Sequence, residues 1–256
     1  MQDMTLIHGE CLEEMDKLIE QNVKVDAIIT DEPYGTTKCK WDEAIPFPEM
    51  WPRINNLKKD IHTPVILFGR EPFTSKLINS NIKEYKHKWI WNKKQSGSPQ
   101  NAKYMPLQID EDIIVFAKSR VNYYPMMRKG KMRKKGGCKK PIQTMENFKK
   151  LDFSRYSDLY YPTNIIEIYN PRIGKVHPTQ KPVELMEYLI KTYTKEGDLV
   201  LDFTMGSGST GVACKNLNRR LIGIEKEKKY YDTAVERIST NYEGLKGSLL
   251  NYKLWR

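Results

Sequence analysis

The sequence predicts an α/β fold built on a doubly wound, mostly parallel sheet. Short apolar runs alternate with helical patterns along most of the chain, and one of those runs leads into a glycine-rich turn. Alternating strands and helices favour parallel pairing, with helices covering both faces of the sheet. The 256 residues are enough to bury a full core.

Six short apolar runs are typical of buried parallel strands. They are Val25–Thr30, Pro64–Gly69, Lys88–Trp91, Ile113–Ala117, Leu199–Phe203 and Leu221–Glu225. Helical patterns lie between them, at Leu12–Glu20, Pro48–Leu57, Phe73–Ser80, Pro182–Thr194, Thr210–Leu217 and Lys228–Ser239. Pro182 suits a first helical turn, where a backbone N–H is not needed.

The alternation breaks between about Ser119 and Lys175. We predict one domain formed by residues 1–118 and 176–256, with residues 119–175 inserted into it. The segment from Lys118 to Lys150 has twelve Lys and Arg and one acid, so it carries the whole net charge of +11. A neutral body with one basic segment indicates a polyanionic partner, although a solvated basic loop is the alternative.

The basic segment supplies candidate contacts to nucleic-acid phosphate. Tyrosines at 156, 160 and 161 follow it and suit either base stacking or packing within the insertion. The candidate phosphate contacts are Lys129, Lys131, Arg133, Lys134 and Lys135.

Several other classes of protein are disfavoured. The four cysteines form no CxxC pair and no metal-ligand spacing, so we expect reduced thiols and no metal site. The first ten residues lack a secretion signal, and no apolar stretch approaches the roughly 18 residues that a membrane span needs. We therefore expect a cytoplasmic protein.

A glycine turn follows the strand Leu199–Phe203. Gly206, Gly208 and Gly211 match the GxGxxG pattern, which lets backbone approach a ligand at the N-terminus of the next helix. Glu225 ends the following strand, where a carboxylate can bind both ribose hydroxyls of an adenosine. A nicotinamide enzyme is the rival interpretation. Asp202 disfavours it, because its carboxylate would repel a pyrophosphate. In addition, only 45 residues follow Gly211, too few for a dinucleotide half-sheet plus a substrate domain.

A second motif, Asp31-Glu32-Pro33-Tyr34, follows the strand Val25–Thr30, at the strand end where α/β sheets place their sites. The lone pair of an exocyclic base amine is delocalised into the ring. If a carboxylate and a backbone carbonyl each accept one hydrogen of this amine, they favour a pyramidal nitrogen. The lone pair of that nitrogen can then point at a sulfonium methyl group. Tyr34 can stack on a flipped base, and Pro33 fixes the preceding carbonyl. An ordinary turn is the alternative.

Together these segments resemble the amino-group DNA methyltransferases, in the permuted order that puts the catalytic tetrapeptide before the methyl-donor turn. The resemblance runs from about Met4 to Ile238, apart from the insertion, which falls where the family keeps its target-recognition region. The matching segments are Asp31-Glu32-Pro33-Tyr34 for the family's Asp-Pro-Pro-Tyr, Asp202–Thr210 for its cofactor turn, His177-Pro178-Thr179-Gln180-Lys181-Pro182, and Ile7-His8-Gly9-Glu10-Cys11.

The resemblance implies a Rossmann-like methyltransferase domain with a seven-stranded sheet, S-adenosylmethionine as donor and duplex DNA as substrate, in an enzyme that is often a homodimer. It implies a bacterial or phage-encoded modification enzyme, and an Asp at the head of the tetrapeptide points to adenine N6. The residues it assigns to the donor are Glu10, Cys11, Asp31, Thr179, Lys181, Asp202, Phe203, Thr204, Gly206, Ser207, Gly208 and Glu225.

The chain departs from the family pattern at three positions: Glu32 replaces a Pro, Glu10 stands where Asp is usual, and Asp110 precedes Glu111 where His is frequent. Glu32 adds a carboxylate that could repel DNA phosphate or raise the pKa of Asp31. The alternatives to an active adenine enzyme are a cofactor- and DNA-binding protein without turnover, a cytosine-N4 enzyme, and a methyltransferase of RNA or protein.

Overall fold

The structure is a computed structural model that describes residues 3–35, 43–96, 99–135, 155–170 and 180–240. Its elements in chain order are β1 (Met4–His8), α1 (Cys11–Glu20), β2 (Ala27–Thr30), α2 (Phe47–Leu57), β3 (Val65–Gly69), α3 (Phe73–Ser80), β4 (Tyr85–Asn92), β5 (Asp110–Phe116), β6 (Arg128–Lys135), β7 (Arg155–Tyr160), β8 (Ile165–Glu167), α4 (Val183–Tyr193), β9 (Leu199–Asp202), α5 (Ser209–Asn216), β10 (Arg220–Glu225) and α6 (Lys228–Ser239).

The main sheet confirms the predicted fold class. Its strand order is β1-β10-β9-β2-β3-β5-β4-β8. Seven strands run in one direction, and β5 alone is antiparallel to both of its neighbours. The main sheet thus has eight strands among the described residues, where the resemblance implied seven. The six apolar runs include neither β1 nor the three-residue β8.

Two apolar clusters cover the two faces of the sheet. One packs α4, α5 and α6 against side chains such as Ile66, Phe68 and Ile113. The other packs α1, α2 and α3 against the alternate side chains, such as Val65, Leu67 and Ile114. Because successive side chains of a strand point to opposite faces, one strand serves both clusters.

Strands β2 and β9 lie side by side at the centre of the sheet. The chain goes from β2 outward to β3 on one side and from β9 outward to β10 on the other. This reversal is a topological switch point, and its crevice lies outside the carboxyl ends of the strands. Asp31 follows β2 and Asp202 ends β9, so the two predicted motifs meet at this crevice.

The chain divides into two compact units. The first comprises residues 1–124 and 164–243, and the second comprises 125–163 and 244–256. The described part of the second unit contains the antiparallel ribbon of β6 and β7. Residues 119–124 and 164–170, which the sequence grouped with the insertion, belong to the first unit, and the second of these stretches includes β8. None of the helices in the described ranges is long and apolar enough to cross a membrane.

Candidate active site

Four threonine and aspartate side chains connect the ends of β2 and β9. The hydroxyl of Thr30 donates to Asp202 Oδ1 at 2.7 Å and lies 2.7 Å from the hydroxyl of Thr204. Thr204 in turn donates to the backbone carbonyl of Asp31 at 3.1 Å. Thr210, at the start of α5, donates to Asp202 Oδ2 at 2.5 Å. The two motifs are therefore held in a fixed relation by buried hydrogen bonds.

Asp202 is nearly inaccessible to solvent, and its two oxygens accept hydrogen bonds from this chain. Burial raises the pKa of its carboxyl from 3.8 to about 6, against the bonds from Thr210 and Thr30, which lower it. Asp202 thus anchors the glycine turn. Its predicted contact with the donor stays a prediction.

Asp31 accepts two hydrogen bonds through its two carboxylate oxygens. The hydroxyl of Tyr34 donates to Oδ1 at 2.8 Å, and the ammonium of Lys181 lies 2.5 Å from Oδ2. Burial raises the pKa of Asp31, while the charge of Lys181 lowers it. The Asp31 side chain is 23% exposed, so the carboxylate is still accessible to a ligand.

Lys181 has a second anionic partner that the sequence did not predict. Its ammonium lies 3.4 Å from Glu111 Oε2, and Lys93 lies 3.1 Å from Glu111 Oε1. The ammonium also sits 4.8 Å from the centre of the Phe68 ring, within the range of a cation–π interaction. Lys181 is therefore fixed between two carboxylates and an aromatic face.

Glu32, the residue that departs from the family pattern, is buried. Its side chain is 2% exposed, and neither carboxyl oxygen has a hydrogen-bond partner. Burial and the charge of Asp31 raise its pKa well above the usual 4.5, although nearby backbone amides and Lys181 oppose the shift. Burial thus favours the neutral form of the Glu32 carboxyl.

Tyr34, the last residue of the tetrapeptide, is partly buried and packs against α3. Its ring lies 4.9 Å from the ring of Phe73 at an interplanar angle of 30°. Burial and the charge of Asp31 raise the pKa of its hydroxyl well above 10, so it remains a hydrogen-bond donor. Pro33, between Glu32 and Tyr34, is partly exposed.

The three glycines of the turn serve two different purposes. Gly206 has a φ of +53°, and a Cβ added there would meet nothing within 4 Å, which leaves open space beside the backbone. Gly208 also has a positive φ, of +79°, but an added Cβ would lie 2.9 Å from Ala234 in α6. Gly211 would collide with Ile238 at 2.3 Å. Gly208 and Gly211 therefore serve close packing of α5 against α6.

Glu225 closes the glycine turn onto β10. Its Oε2 accepts from the amide of Gly206 at 2.9 Å, and its Oε1 accepts from the amide of Glu227 at 2.7 Å. Burial raises the pKa of its carboxyl. Each oxygen keeps a further lone pair for a ligand hydroxyl.

The other predicted donor residues have structural partners in this chain. Glu10 caps α1, since its Oε2 accepts from the amides of Leu12 at 2.8 Å and Glu13 at 3.0 Å. Cys11 donates to Glu10, and burial raises the pKa of its thiol to about 12. Phe203 packs in the core, and Ser207 bonds Arg237 and Gln180.

The structure brings most of the predicted site residues together at the carboxyl edge of the sheet. Thr179 lies outside the described residues. The sequence missed Glu111, Lys93, Thr30 and Thr210, which complete the network. Glu111 could have been recognised as a site residue only from the placement of β5. Because β5 is reversed, its first residues lie at the same edge of the sheet as the last residues of its neighbours.

The predicted phosphate contacts lie on the ribbon of the second unit. Lys129, Lys131 and Arg133 are exposed. Arg133 lies over the ring of Tyr160 at 5.4 Å, and Tyr160 donates to the carbonyl of Lys131 at 2.7 Å. Lys134 and Lys135 belong to β6, where the structure describes their backbone but not their side chains. Tyr156 and Tyr161 are 67% and 70% exposed.

The described residues contain no group of three or more His, Cys, Asp or Glu that could hold a metal ion. The site's polar groups are instead carboxylates, hydroxyls and one buried ammonium. These groups suit recognition of cations, amines and sugar hydroxyls.

Comparisons with known proteins agree with this arrangement. A family model described as DNA methylase matches residues 25–236. The Type II methyltransferase M.HpaI of Haemophilus parainfluenzae is 28% identical over 253 residues, which is 94% of this chain and 76% of that protein. The Type II methyltransferase M2.DpnII of Streptococcus pneumoniae is 52% identical over 67 residues, 26% of this chain and 25% of that protein.

Solved structures give the same relationship. The crystal structure of an M1.HpyAVI–SAM complex matches with a TM-score of 0.64 and 29% identity, over 91% of this chain and 99% of that one. The PvuII cytosine-N4-specific DNA methyltransferase matches with a TM-score of 0.63 over 93% of this chain and 87% of that one. At 16% identity it shows a shared fold only. The family match covers well over half of the chain, and this protein belongs to the amino-group DNA methylase family.

Proposed function

We propose that this protein transfers a methyl group from S-adenosylmethionine to the N6 amine of an adenine flipped out of duplex DNA. The observation that carries the proposal is Asp31, a partly exposed carboxylate at the topological switch point that already accepts two hydrogen bonds. A group so placed can accept a hydrogen from a base amine. DNA duplexes hide that amine in the base stack, so the target has to be extruded.

The tetrapeptide provides the two acceptors that the amine needs. Asp31 accepts one amine hydrogen, and the backbone carbonyl of Glu32 accepts the other. The nitrogen lone pair then points out of the ring plane, toward the methyl carbon. S-adenosylmethionine supplies that electrophilic carbon, bonded to a sulfonium that leaves as a neutral thioether. The nitrogen loses its proton as it becomes cationic, and Asp31 or water receives it.

The glycine turn has the chemistry for such a donor. The open space beside Gly206 admits a ligand against the backbone, and Glu225 has lone pairs for two ribose hydroxyls. Asp202 and Asp31 make the crevice acidic, which favours a sulfonium and an ammonium and disfavours a pyrophosphate. Glu10, Cys11, Thr179 and Ser207 are further candidates for the donor. A nicotinamide cofactor is a poorer fit, because its two phosphates would face these carboxylates.

The ribbon of β6 and β7 is our candidate for the DNA contact, as part of the proposed insertion of residues 119–175. Lys129, Lys131 and Arg133 expose three cationic side chains at every second position of one strand. A two-stranded ribbon fits a major groove, and cations on it neutralise phosphate. Duplex DNA is the partner that this charge pattern favours.

A DNA- and cofactor-binding protein without turnover is the second candidate, and Glu32 is the residue that bears on it. An ionised Glu32 would repel DNA phosphate and disturb Asp31. Its burial and raised pKa favour a neutral carboxyl, which does neither. The structure of the tetrapeptide thus favours the active form.

Sequencing of modified bases tests the proposal inside a cell. We would express the chain in a bacterium that lacks DNA methylation, since the named relatives are bacterial proteins and we place the activity in the bacterial cytoplasm. We expect N6-methyladenine at one recurring sequence, which also identifies the recognition site. N4-methylcytosine at a recurring sequence would correct the base, and unmodified DNA beside well-expressed protein would favour the binding form.

A further inference from the structure

Glu111 has no role in the proposed function so far, yet it lies in the same network as Asp31. Glu111 is the second residue of β5, the reversed strand. Its side chain is 16% exposed and pairs with Lys181 and Lys93. The charges of the two lysines lower its pKa despite its burial, so it is an anion in this site.

We propose that Glu111 is a positioning residue for methyl transfer. Glu111 holds the ammonium of Lys181 between its own carboxylate and that of Asp31. Asp31 can then release Lys181 and accept a hydrogen bond from the target amine instead. The proposal rests on the catalytic role proposed for Asp31. The ammonium is 2.5 Å from Asp31 and 3.4 Å from Glu111, so it has a second anion to move toward.

The geometry gives Lys181 few other options. Its side chain is 8% exposed, and the Phe68 ring lies 4.8 Å from the ammonium. A buried ammonium without a paired anion is costly, because it has lost its hydration. If Glu111 were absent, Lys181 would have to stay on Asp31, where it would compete with the incoming amine for the same oxygen.

Lys93 fixes Glu111 from the other side. Lys93 follows β4, its backbone amide donates to the carbonyl of Ile109 at 2.7 Å, and its ammonium pairs with Glu111 at 3.1 Å. Two cations and two anions thus alternate in the order Lys93, Glu111, Lys181, Asp31. Removing the anion Glu111 leaves Lys181 bound more strongly to Asp31. Removing the cation Lys93 lets Glu111 draw Lys181 away from Asp31.

The other titratable groups around Asp31 are Tyr34, Glu32 and Asp202. Tyr34 donates to Asp31 directly, Glu32 is the next residue in the chain, and Asp202 lies behind the hydroxyls of Thr30 and Thr204. Burial raises the pKa values of Glu32 and Tyr34, which favours their neutral forms. Among the described residues, Glu111 is the anion besides Asp31 that pairs with Lys181.

A ¹³C NMR titration of the Asp31 carboxyl, in the full chain without donor or DNA, tests the proposal. The resonance is assigned by its loss in Asp31→Asn. In Glu111→Gln we expect the Asp31 pKa to fall by about one unit, because a neighbouring anion is removed. In Lys93→Met we expect it to rise by about one unit, because Glu111 then draws Lys181 away from Asp31.

Asp112→Asn is the matched control. Asp112 is the next residue of β5, is buried, and pairs with Lys88 at 2.9 Å. Consecutive strand residues point to opposite faces, so this variant removes an equal charge from the other side of the sheet. We expect no shift of the Asp31 titration in Asp112→Asn. If Glu111→Gln does not fold, the upward shift in Lys93→Met decides alone.

Transfer assays connect the titration to the reaction. In Glu111→Gln we expect the acidic limb of the pH–rate profile to move to lower pH and the maximal rate to fall about tenfold, less than the roughly 10²- to 10⁴-fold that one proton acceptor contributes, because Asp31 is still present. An unmoved Asp31 titration in both Glu111→Gln and Lys93→Met would overturn the inference, as would an equal shift in Asp112→Asn. Failure of the proposed function is a separate result: the wild type would then leave adenine unmethylated, or transfer would persist in Asp31→Asn.

Discussion

The ammonium of Lys181 lies 2.5 Å from Asp31 Oδ2, although 150 residues separate the two in the chain. The pair joins the tetrapeptide after β2 to the segment that opens α4. Asp31 is therefore presented to the crevice with its negative charge partly balanced and its orientation fixed by Tyr34 and Lys181.

Asp31→Asn should abolish most of the activity while leaving the fold intact. The amide has the shape of the carboxylate but no charge, and one of its two polar atoms cannot accept a hydrogen bond. We expect transfer of labelled methyl to duplex DNA to fall by about 10² to 10⁴-fold, the contribution of one positioned proton acceptor. Asp232→Asn, an exposed change on α6, is the control and should keep the wild-type rate. Full activity in Asp31→Asn would remove this residue from the chemistry.

Glu32→Gln should stabilise the protein at alkaline pH relative to the wild type. Glutamine keeps the size of the buried Glu32 side chain and cannot ionise. The pKa of Glu32 is higher in the folded than in the unfolded state, so the folded protein binds more protons between those values. Wild-type stability therefore falls as the pH rises above about 4.5, by about 1.4 kcal/mol for each unit of pKa difference.

Urea unfolding at pH 5 and pH 8 measures this difference. The gap between Glu32→Gln and wild type should widen toward pH 8, and Glu20→Gln, an exposed change on α1, should show no such widening. A gap that stays constant with pH would mean that Glu32 is ionised in the folded protein.

Asp202→Asn should remove a pH-dependent part of the stability between about pH 4 and pH 6. The carboxyl titrates near 3.8 when unfolded and at about 6 when folded. The wild type therefore loses about 3 kcal/mol of unfolding free energy as the pH rises through that window, and this contribution stays constant at higher pH. The difference in unfolding free energy between wild type and variant, measured at half-unit steps of pH, should follow that curve. A flat difference would place the folded-state pKa near its ordinary value.

Neutralising the exposed cations of the ribbon should weaken DNA binding and reduce its salt dependence. In the triple variant Lys129→Gln, Lys131→Gln, Arg133→Gln, three phosphate contacts are removed, so the slope of log K against log salt should decrease by roughly three. Fluorescence anisotropy at several salt concentrations measures the slope. The control changes three exposed lysines of the first unit, Lys76, Lys83 and Lys229, to Gln. An unchanged slope in the ribbon variant, or an equal drop in the control, would place the DNA elsewhere.

Much of the fold could be predicted from local patterns. Buried parallel strands such as β2 and β3 are continuous apolar runs, and the helices between them have amphipathic spacing, so both are visible in the sequence. β1 and β8 were missed because β1 is only partly buried and β8 has three residues. Their pairing with β10 and β4 comes from tertiary contacts that no short window contains.

The site was predictable only in part, for a related reason. Asp31 and Gly206 stand in motifs whose spacing reflects their chemistry. Glu111 lies in an acidic stretch at the start of a strand, and it reaches Lys181 only because β5 runs against its neighbours. Gly208 matches a ligand-binding pattern in the sequence, yet in the structure an added Cβ would collide with α6. Packing between elements decides such cases.

The most direct test of the central claim is the identity of the methylated nucleoside. Purified protein is incubated with S-adenosylmethionine that carries an isotopically labelled methyl group and with unmodified duplex DNA, and the digested nucleosides are separated by liquid chromatography and mass spectrometry. We predict that the label appears in N6-methyldeoxyadenosine and disappears in Asp31→Asn. Label in N4-methyldeoxycytidine, or equal label in N6-methyldeoxyadenosine from Asp31→Asn, would contradict the account.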